Sequence, residues 1–293
     1  MGQAISHGRS RDDATMRCRV TEKHGLEDDS VRCRSSPNLA YISQQENWDC
    51  GVACLLMVWT WLAASPDNDL PSNEAVDKQR NLLLNMISTK SIWTVDLVHA
   101  LYQMHQQQEV NKKELSAFDF TFFSMMLAAN EEWKDYAYYA AAFDQDEKRT
   151  RHRLETLRAA PGMAEKMRQQ TEQRSIRWFI EQIDDPYTIA IILVDNSVFK
   201  FASDDASDVS SSQRYLGHYL VVTGIAGKVH LVHDKYTTVD RLPDIDNVLL
   251  VVYDPYAGVD YVSAKRLELA WQASGTDQDV IFIHKLKGSR GVF

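Results

Sequence analysis

Apolar residues fill nearly every position of the segment 50–64, CGVACLLMVWTWLAA, instead of recurring along one stripe. A helix there has no polar face to give to water, and it falls short of the roughly 20 apolar residues needed to cross a bilayer. It therefore reads as a helix buried on all sides, with Pro66 just past its end as a stop. From about residue 72 to 185 the pattern changes to apolar i, i+3, i+4 recurrences, as in TVDLVHALYQM and RSIRWFIEQI, with charged faces such as residues 144–155. This stretch predicts a helical layer. Beyond it come runs of strand type: TIAIILV (188–194), HYLVVTGI (218–225), KVHLVHD (228–234), VLLVVYD (248–254) and VIFIHKL (280–286). A Ser/Asp-rich stretch around 203–212 and a helix around 264–273 interrupt them. Helices first, then strands with short links, predict an α+β fold with a largely antiparallel sheet.

Residues 1–36 are polar, rich in Arg, Asp and Ser, and nearly free of periodic apolar positions, so they predict a flexible arm ahead of one domain spanning 37–293. The arm opens Met1-Gly2-Gln3-Ala4-Ile5-Ser6, which fits N-myristoylation at Gly2. One such chain anchors only marginally, so a second signal is needed, from Cys18 or from Arg9, Arg11, Arg17 and Arg19. Asp12 and Asp13 dilute that basic character. The expected location is the cytoplasm, with peripheral membrane association through the lipid.

Composition narrows the function. The net charge of −9 is spread along the chain, and no Lys/Arg stripe interleaved with aromatics occurs, which argues against nucleic acid as a partner. The four cysteines, Cys18, Cys33, Cys50 and Cys54, form no CxxC and no four-ligand spacing with His, so neither a zinc site nor a disulfide framework is expected, and a reducing compartment fits. His230 and His233 alternate near Asp234 without a third ligand in the segment, and no metal or cofactor is assigned there.

Cys50 begins the buried helix, where the helix dipole favours a thiolate. Asp49 before it is a good N-cap residue, but its charge opposes ionisation of the thiol, so a cationic partner is required. Among the nine histidines, His218 follows Gly217 at the first position of an apolar strand, held rigidly yet near solvent. Asp254 closes another strand immediately before Pro255 and is placed to orient the imidazole. Cys54 lies one helical turn beyond Cys50 and reads as a core thiol, positioned to trap an oxidised Cys50 as a disulfide. Trp48, Asp49, Gly51 and Gly217 are the neighbours expected to line a substrate cleft, with Gly217 letting backbone and substrate pass closely.

The string Gln44-Gln45-Glu46-Asn47-Trp48-Asp49-Cys50-Gly51-Val52-Ala53-Cys54 resembles the Q-x5-C start of bacteriocin-processing double-glycine peptidases, which are papain-like, and Gly217-His218-Tyr219-Leu220-Val221-Val222 and Asp254-Pro255 resemble their later elements. That resemblance implies a papain-like cysteine-peptidase fold, with Cys50, His218 and Asp254 as the triad and Gln44 as an oxyanion donor. The six-residue offset selects Gln44 over Gln45. Over residues 38–287 the chain is similar to the guanylyl cyclase domain-containing protein family, through NWDCGVAC, SIWTVDL (91–97), FD-x2-E-x-R (143–149), GHYLVVTG, YDPYA (253–257) and SGTDQDVIFI (274–283). This second resemblance implies conversion of GTP to cGMP with Mg²⁺ or Mn²⁺. No Gly-rich phosphate loop and no clear two-Asp metal constellation accompany it. The expectation drawn from the residues is a thiol hydrolase acting on a peptide or acyl conjugate without a cofactor; the cyclase and a non-catalytic binding module are the alternatives.

Overall fold

The computed structural model describes residues 31–33, 39–64, 71–110, 115–127, 129, 143–201, 215–228, 245 and 248–286. Of the expected N-terminal arm, residues 31–33 depart from the reading, because they form a strand that pairs with Ala226–Lys228; the rest of the arm with Gly2 and Cys18, the Ser/Asp-rich stretch at 203–212 and the pair His230 and His233 lie outside the described residues, as does the strand expected at 228–234 except for its first residue. No helix among the described residues is long and apolar enough to cross a membrane.

Helix α1, Cys50–Ala63, is the buried helix that the apolar run predicted; only Trp59 and Ala63 escape full burial. It is packed against helix α2 (Asn73–Ile87), helix α3 (Thr94–Val110) and the long strand β5 (Gly217–Lys228). Helix α2 is a polar helix capped by the Ser72 hydroxyl, which accepts from the Ala75 N–H, and it buries Arg80, Leu83 and Ile87. With helix α4 (Phe143–Ala159) packed on α3, these elements form the expected helical layer.

Among the described residues eight strands make one sheet: β1 (Val31–Cys33), β2 (Phe118–Ser124), β3 (Met167–Gln169), β4 (Thr188–Asp195), β5, β6 (Leu249–Asp254), β7 (Gly258–Ser263) and β8 (Val280–Lys285). Their order is β3-β2-β8-β4-β5-β6-β7, with β1 paired to the far end of β5. Every pairing is antiparallel except β2 with β3, which is parallel. The fold is thus α+β, with a central buried helix on a largely antiparallel sheet.

The second face of the sheet is covered by the short helices α5 (Ile176–Ile183) and α7 (Ala264–Trp271), capped by Ser175 and Ser263, and by α6 (Asn196–Phe201). This explains the unbroken apolar runs. In β4, Ile189 and Ile191 join the core under α1, whereas Ala190 and Ile192 join a second core with Phe179, Trp271 and Phe282. A strand buried on both faces has no reason to alternate apolar with polar residues.

Sequence reasoning missed β2, which falls within the stretch expected to be helical. Its sequence FDFTFFS carries a period-2 signal, since Phe118, Phe120 and Phe122 are buried while the residues between them are half-exposed. Strand β7 was also missed, and the helix expected over 264–273 ends at Trp271.

Candidate active site

The register that pairs Val221 with Tyr253 brings His218 and Asp254 to the same end of adjacent strands. There His218 Nε2 lies 2.8 Å from Asp254 Oδ1, and that oxygen also accepts the Tyr256 N–H at 2.8 Å. Cys50 at the start of α1 acts on the same imidazole, as a hydrogen-bonding group and through its charge. Cys50, His218 and Asp254 are all buried, at 8%, 5% and 4% exposure.

Burial alone would drive the His218 proton off. The hydrogen bonds to Asp254 and Cys50 and the charges of both outweigh it, and the imidazole is pushed up to about 9. Burial likewise works against the Asp254 carboxylate, but the His218 hydrogen bond and charge, with the N–H groups of Tyr256 and Ala257, hold its carboxyl below the usual range. The arrangement thus favours a protonated imidazole between a carboxylate and a thiol near neutral pH. Cys54, fully buried one turn deeper, is pushed well up by burial and then by the Cys50 and Asp254 charges, in keeping with a core thiol.

The segment leading into α1 departs from expectation in one respect. Asp49 occupies the N-cap position but makes no side-chain cap bond. Its carboxylate turns back along the chain, where Oδ1 accepts the N–H groups of Gln45 (3.1 Å) and Glu46 (3.0 Å) and Oδ2 takes Arg80 Nη1 at 2.7 Å. Buried at 3% exposure, Asp49 is not a wall of the cleft. Neither is Gly51, on which a Cβ would lie 3.0 Å from Leu97 Cδ2 and 3.2 Å from Tyr219 Cδ2, so the glycine serves close packing of α1 against α3 and β5.

Gln44 is half-buried and its backbone N–H donates to the Pro255 carbonyl at 3.0 Å, beside Asp254, whereas Gln45 is exposed. Gln44 Nε2 donates to the Glu46 carbonyl at 2.7 Å, and Gln44 Oε1 is buried without a hydrogen-bond partner among the described residues.

A cleft of about 840 Å³ opens over this group, and Gln44, Trp48, Cys50, Gly217 and His218 all line it. A Cβ on Gly217 would come within 2.8 Å of Tyr215 Oη, so the glycine leaves room for a cleft-wall side chain.

Two features of the cleft had not been singled out. Asp279, at the entry to β8, is buried with its Oδ1 lacking a hydrogen-bond partner among the described residues, and burial and the charge of Asp277 outweigh the opposing pull of Ser124 and Thr94 and push its carboxyl up to about 8, so it is a neutral acid at pH 7. Its position just ahead of the VIFI run, the mirror of Asp254 at the end of VLLVVYD, was the available signal. The second is the support of the wall segment 91–94. Asp96, fully buried, accepts Arg153 Nη1 at 2.6 Å, Arg149 Nη2 at 3.1 Å and the Trp93 N–H at 2.9 Å, while Asp146 bonds the Ser91 hydroxyl, Trp93 Nε1 and Arg149. The SIWTVDL segment and the Arg149 end of the FD-x2-E-x-R segment are thus two halves of one buried ionic lock. No group of three or more His, Cys, Asp or Glu side chains among the described residues is arranged to hold a metal ion.

The model of a family described as guanylylate cyclase matches residues 39–283. The chain belongs to the guanylylate cyclase family. Guanylyl cyclase 1 of Arabidopsis thaliana is 26% identical over 258 residues, covering 85% of this chain and 77% of that protein. Among solved structures, the peptidase domain of Streptococcus ComA, described as a bi-functional ABC transporter involved in a quorum-sensing pathway, aligns with 85% of this chain and 99% of its own at 13% identity. The TM-score is 0.34. The span matched by the guanylylate cyclase family takes in Gln44, Cys50, His218, Asp254 and Asp279 alike.

Proposed function

We propose that this member of the family is a papain-like thiol hydrolase acting on a peptide, isopeptide or related acyl bond. The observation that carries the reading is the position of His218, hydrogen-bonded to Asp254 and lining one cleft with Cys50 at the start of a buried helix. A histidine so placed, oriented by a carboxylate and in contact with a thiol, has the geometry of an activated nucleophile.

In this reading the Cys50 Sγ attacks the acyl carbon while His218 holds the proton that the thiol has given up. The carbonyl oxygen, now negative, accepts hydrogen bonds from the Gln44 side-chain amide and the Cys50 N–H, a first-turn donor with no partner inside the helix. Collapse of this adduct expels the amine, which takes the proton from His218. A water molecule, deprotonated by the now neutral His218, then cleaves the thioester and restores the Cys50 thiol. Asp254 keeps the ring in place and stabilises its charged form throughout. Cys50→Ala is expected to abolish turnover of acyl substrates while the circular-dichroism spectrum and Tm stay close to those of the parent; turnover retained in that variant would refute the assignment.

The family name and the Arabidopsis relative support a second reading, cyclisation of GTP to cGMP. That reading predicts cGMP formation that depends on Mg²⁺ or Mn²⁺ and survives Cys50→Ala. Absence of cGMP across titrations of both metals counts against it.

A further inference from the structure

Asp49 and Arg80 form a buried pair, with side chains 4% and 7% exposed, and neither lines the cleft. A buried ion pair is a poor device for stability alone, because desolvation of both ions offsets most of their attraction and an apolar pair of the same volume often does as well. Arg80 also leaves its Nε buried without a hydrogen-bond partner among the described residues. What the pair supplies is geometry. Arg80 Nη1 holds Asp49 Oδ2 at 2.7 Å and Nη2 holds the Ser43 carbonyl at 3.1 Å, so one planar guanidinium fixes both ends of the segment that carries Gln44. Asp49 Oδ1 in turn fixes the Glu46 peptide through its N–H at 3.0 Å, and the carbonyl of Glu46 accepts Gln44 Nε2 at 2.7 Å. That carbonyl can only face a donor, so it decides which way the Gln44 amide is turned and leaves the second Nε2 hydrogen for another acceptor.

We infer that Arg80 and Asp49 are positioning residues for the oxyanion site, acting through Glu46 on the Gln44 amide. The inference rests on the thiol-hydrolase reading and deepens it. Neither residue touches the reacting atoms.

Two reagents separate this role from a merely structural one. Acylation of Cys50 by p-nitrophenyl acetate passes through a tetrahedral oxyanion, whereas alkylation by iodoacetamide is a direct displacement at carbon and needs no oxyanion donor. Both rates would be measured on the full chain for Arg80→Lys, which keeps the charge but loses the two-pronged donor, and for Asp49→Asn, which removes the charge at constant size. Gln44→Ala serves as the reference.

The expected result is acylation slowed by about 10- to 100-fold in both variants, toward the roughly 10²–10³-fold loss typical of removing one oxyanion donor, with alkylation within about twofold of the parent. If Gln44→Ala slows acylation selectively and the two variants do not, the positioning role is overturned and the oxyanion reading stands. Acylation and alkylation falling together in the variants would likewise overturn it, in favour of a role in folding. Should Gln44→Ala itself leave acylation untouched, the oxyanion site and the inference built on it both fail. Alkylation at the parental rate doubles as the check that each variant still assembles Cys50 and His218.

Discussion

Replacing Asp254 by asparagine tests the electrostatics of the site with little change in shape. The asparagine oxygen can still accept from His218 Nε2 across the 2.8 Å contact, so the variant removes charge and keeps the hydrogen bond. In the parent, His218 is raised from 6.5 to about 9 against the effect of burial, a preference for the imidazolium worth roughly 3 kcal/mol. Loss of a neighbouring opposite charge typically moves a group by about 1–3 units, so the His218 midpoint is expected to fall to about 8 or lower. A ring-labelled ¹³C-histidine titration by NMR, assigned with a His218→Gln control, reads this directly. The sign for stability follows. Because the folded value lies above the unfolded one, His218 contributes stability that is complete below pH 6.5 and disappears as pH rises through 9. Asp254→Asn should flatten that part of the stability profile. A parental midpoint near 6.5, or one unchanged by Asp254→Asn, would refute the reasoning.

Asp279 should give linkage of the same sign over a lower range of pH: its carboxyl is raised from 3.8 to about 8, so the folded state holds a proton the unfolded state has lost, and stability should decline from pH 4 to pH 8. Asp279→Asn, neutral at every pH, should remove that decline in urea unfolding series; an unchanged profile would contradict a neutral Asp279. Asp96→Ala takes from Arg153 the carboxylate it pairs with and leaves Arg149 with Asp146 alone, and should cost about 3–5 kcal/mol by chemical denaturation, whereas a loss below about 1 kcal/mol would mean the lock is not buried. Leu55→Ala, at a fully buried position of α1, should cost about 2–5 kcal/mol. Lipidation of Gly2 remains a separate proposal: intact mass from a eukaryotic host should show loss of Met1 and gain of a C14 acyl group, and a free or acetylated N-terminus would refute it.

The central helix and the strands at 188, 218, 248 and 280 were legible because their apolar runs are long and uninterrupted. Strand β2 was not, because a strand of seven residues set among helices was outweighed by the helical pattern around it, although Phe118, Phe120 and Phe122 carried its period. Cys50, His218 and Asp254 could be picked out because each stands at the end of an element, where a side chain is held in place, although all three are buried rather than near solvent. The long-range partners could not. Nothing in the spacing of Asp49 and Arg80, 31 residues apart, or of Asp96 and Arg153, 57 apart, announces their contact, since ion pairs between helices leave no periodic trace. Asp49 shows the limit most clearly: local rules make it an N-cap, and the tertiary contact with Arg80 overrides them.

The most direct test of the account is alkylation by iodoacetamide, followed residue by residue by mass spectrometry across pH, in the parent and in His218→Ala. The account predicts that Cys50 is labelled faster than an ordinary thiol below neutral pH, that this advantage vanishes in His218→Ala, and that Cys54 stays unlabelled in the folded protein. Labelling of Cys50 at the rate of an unactivated thiol, indifferent to His218, would contradict the proposed thiolate–imidazolium pair and with it the hydrolase reading.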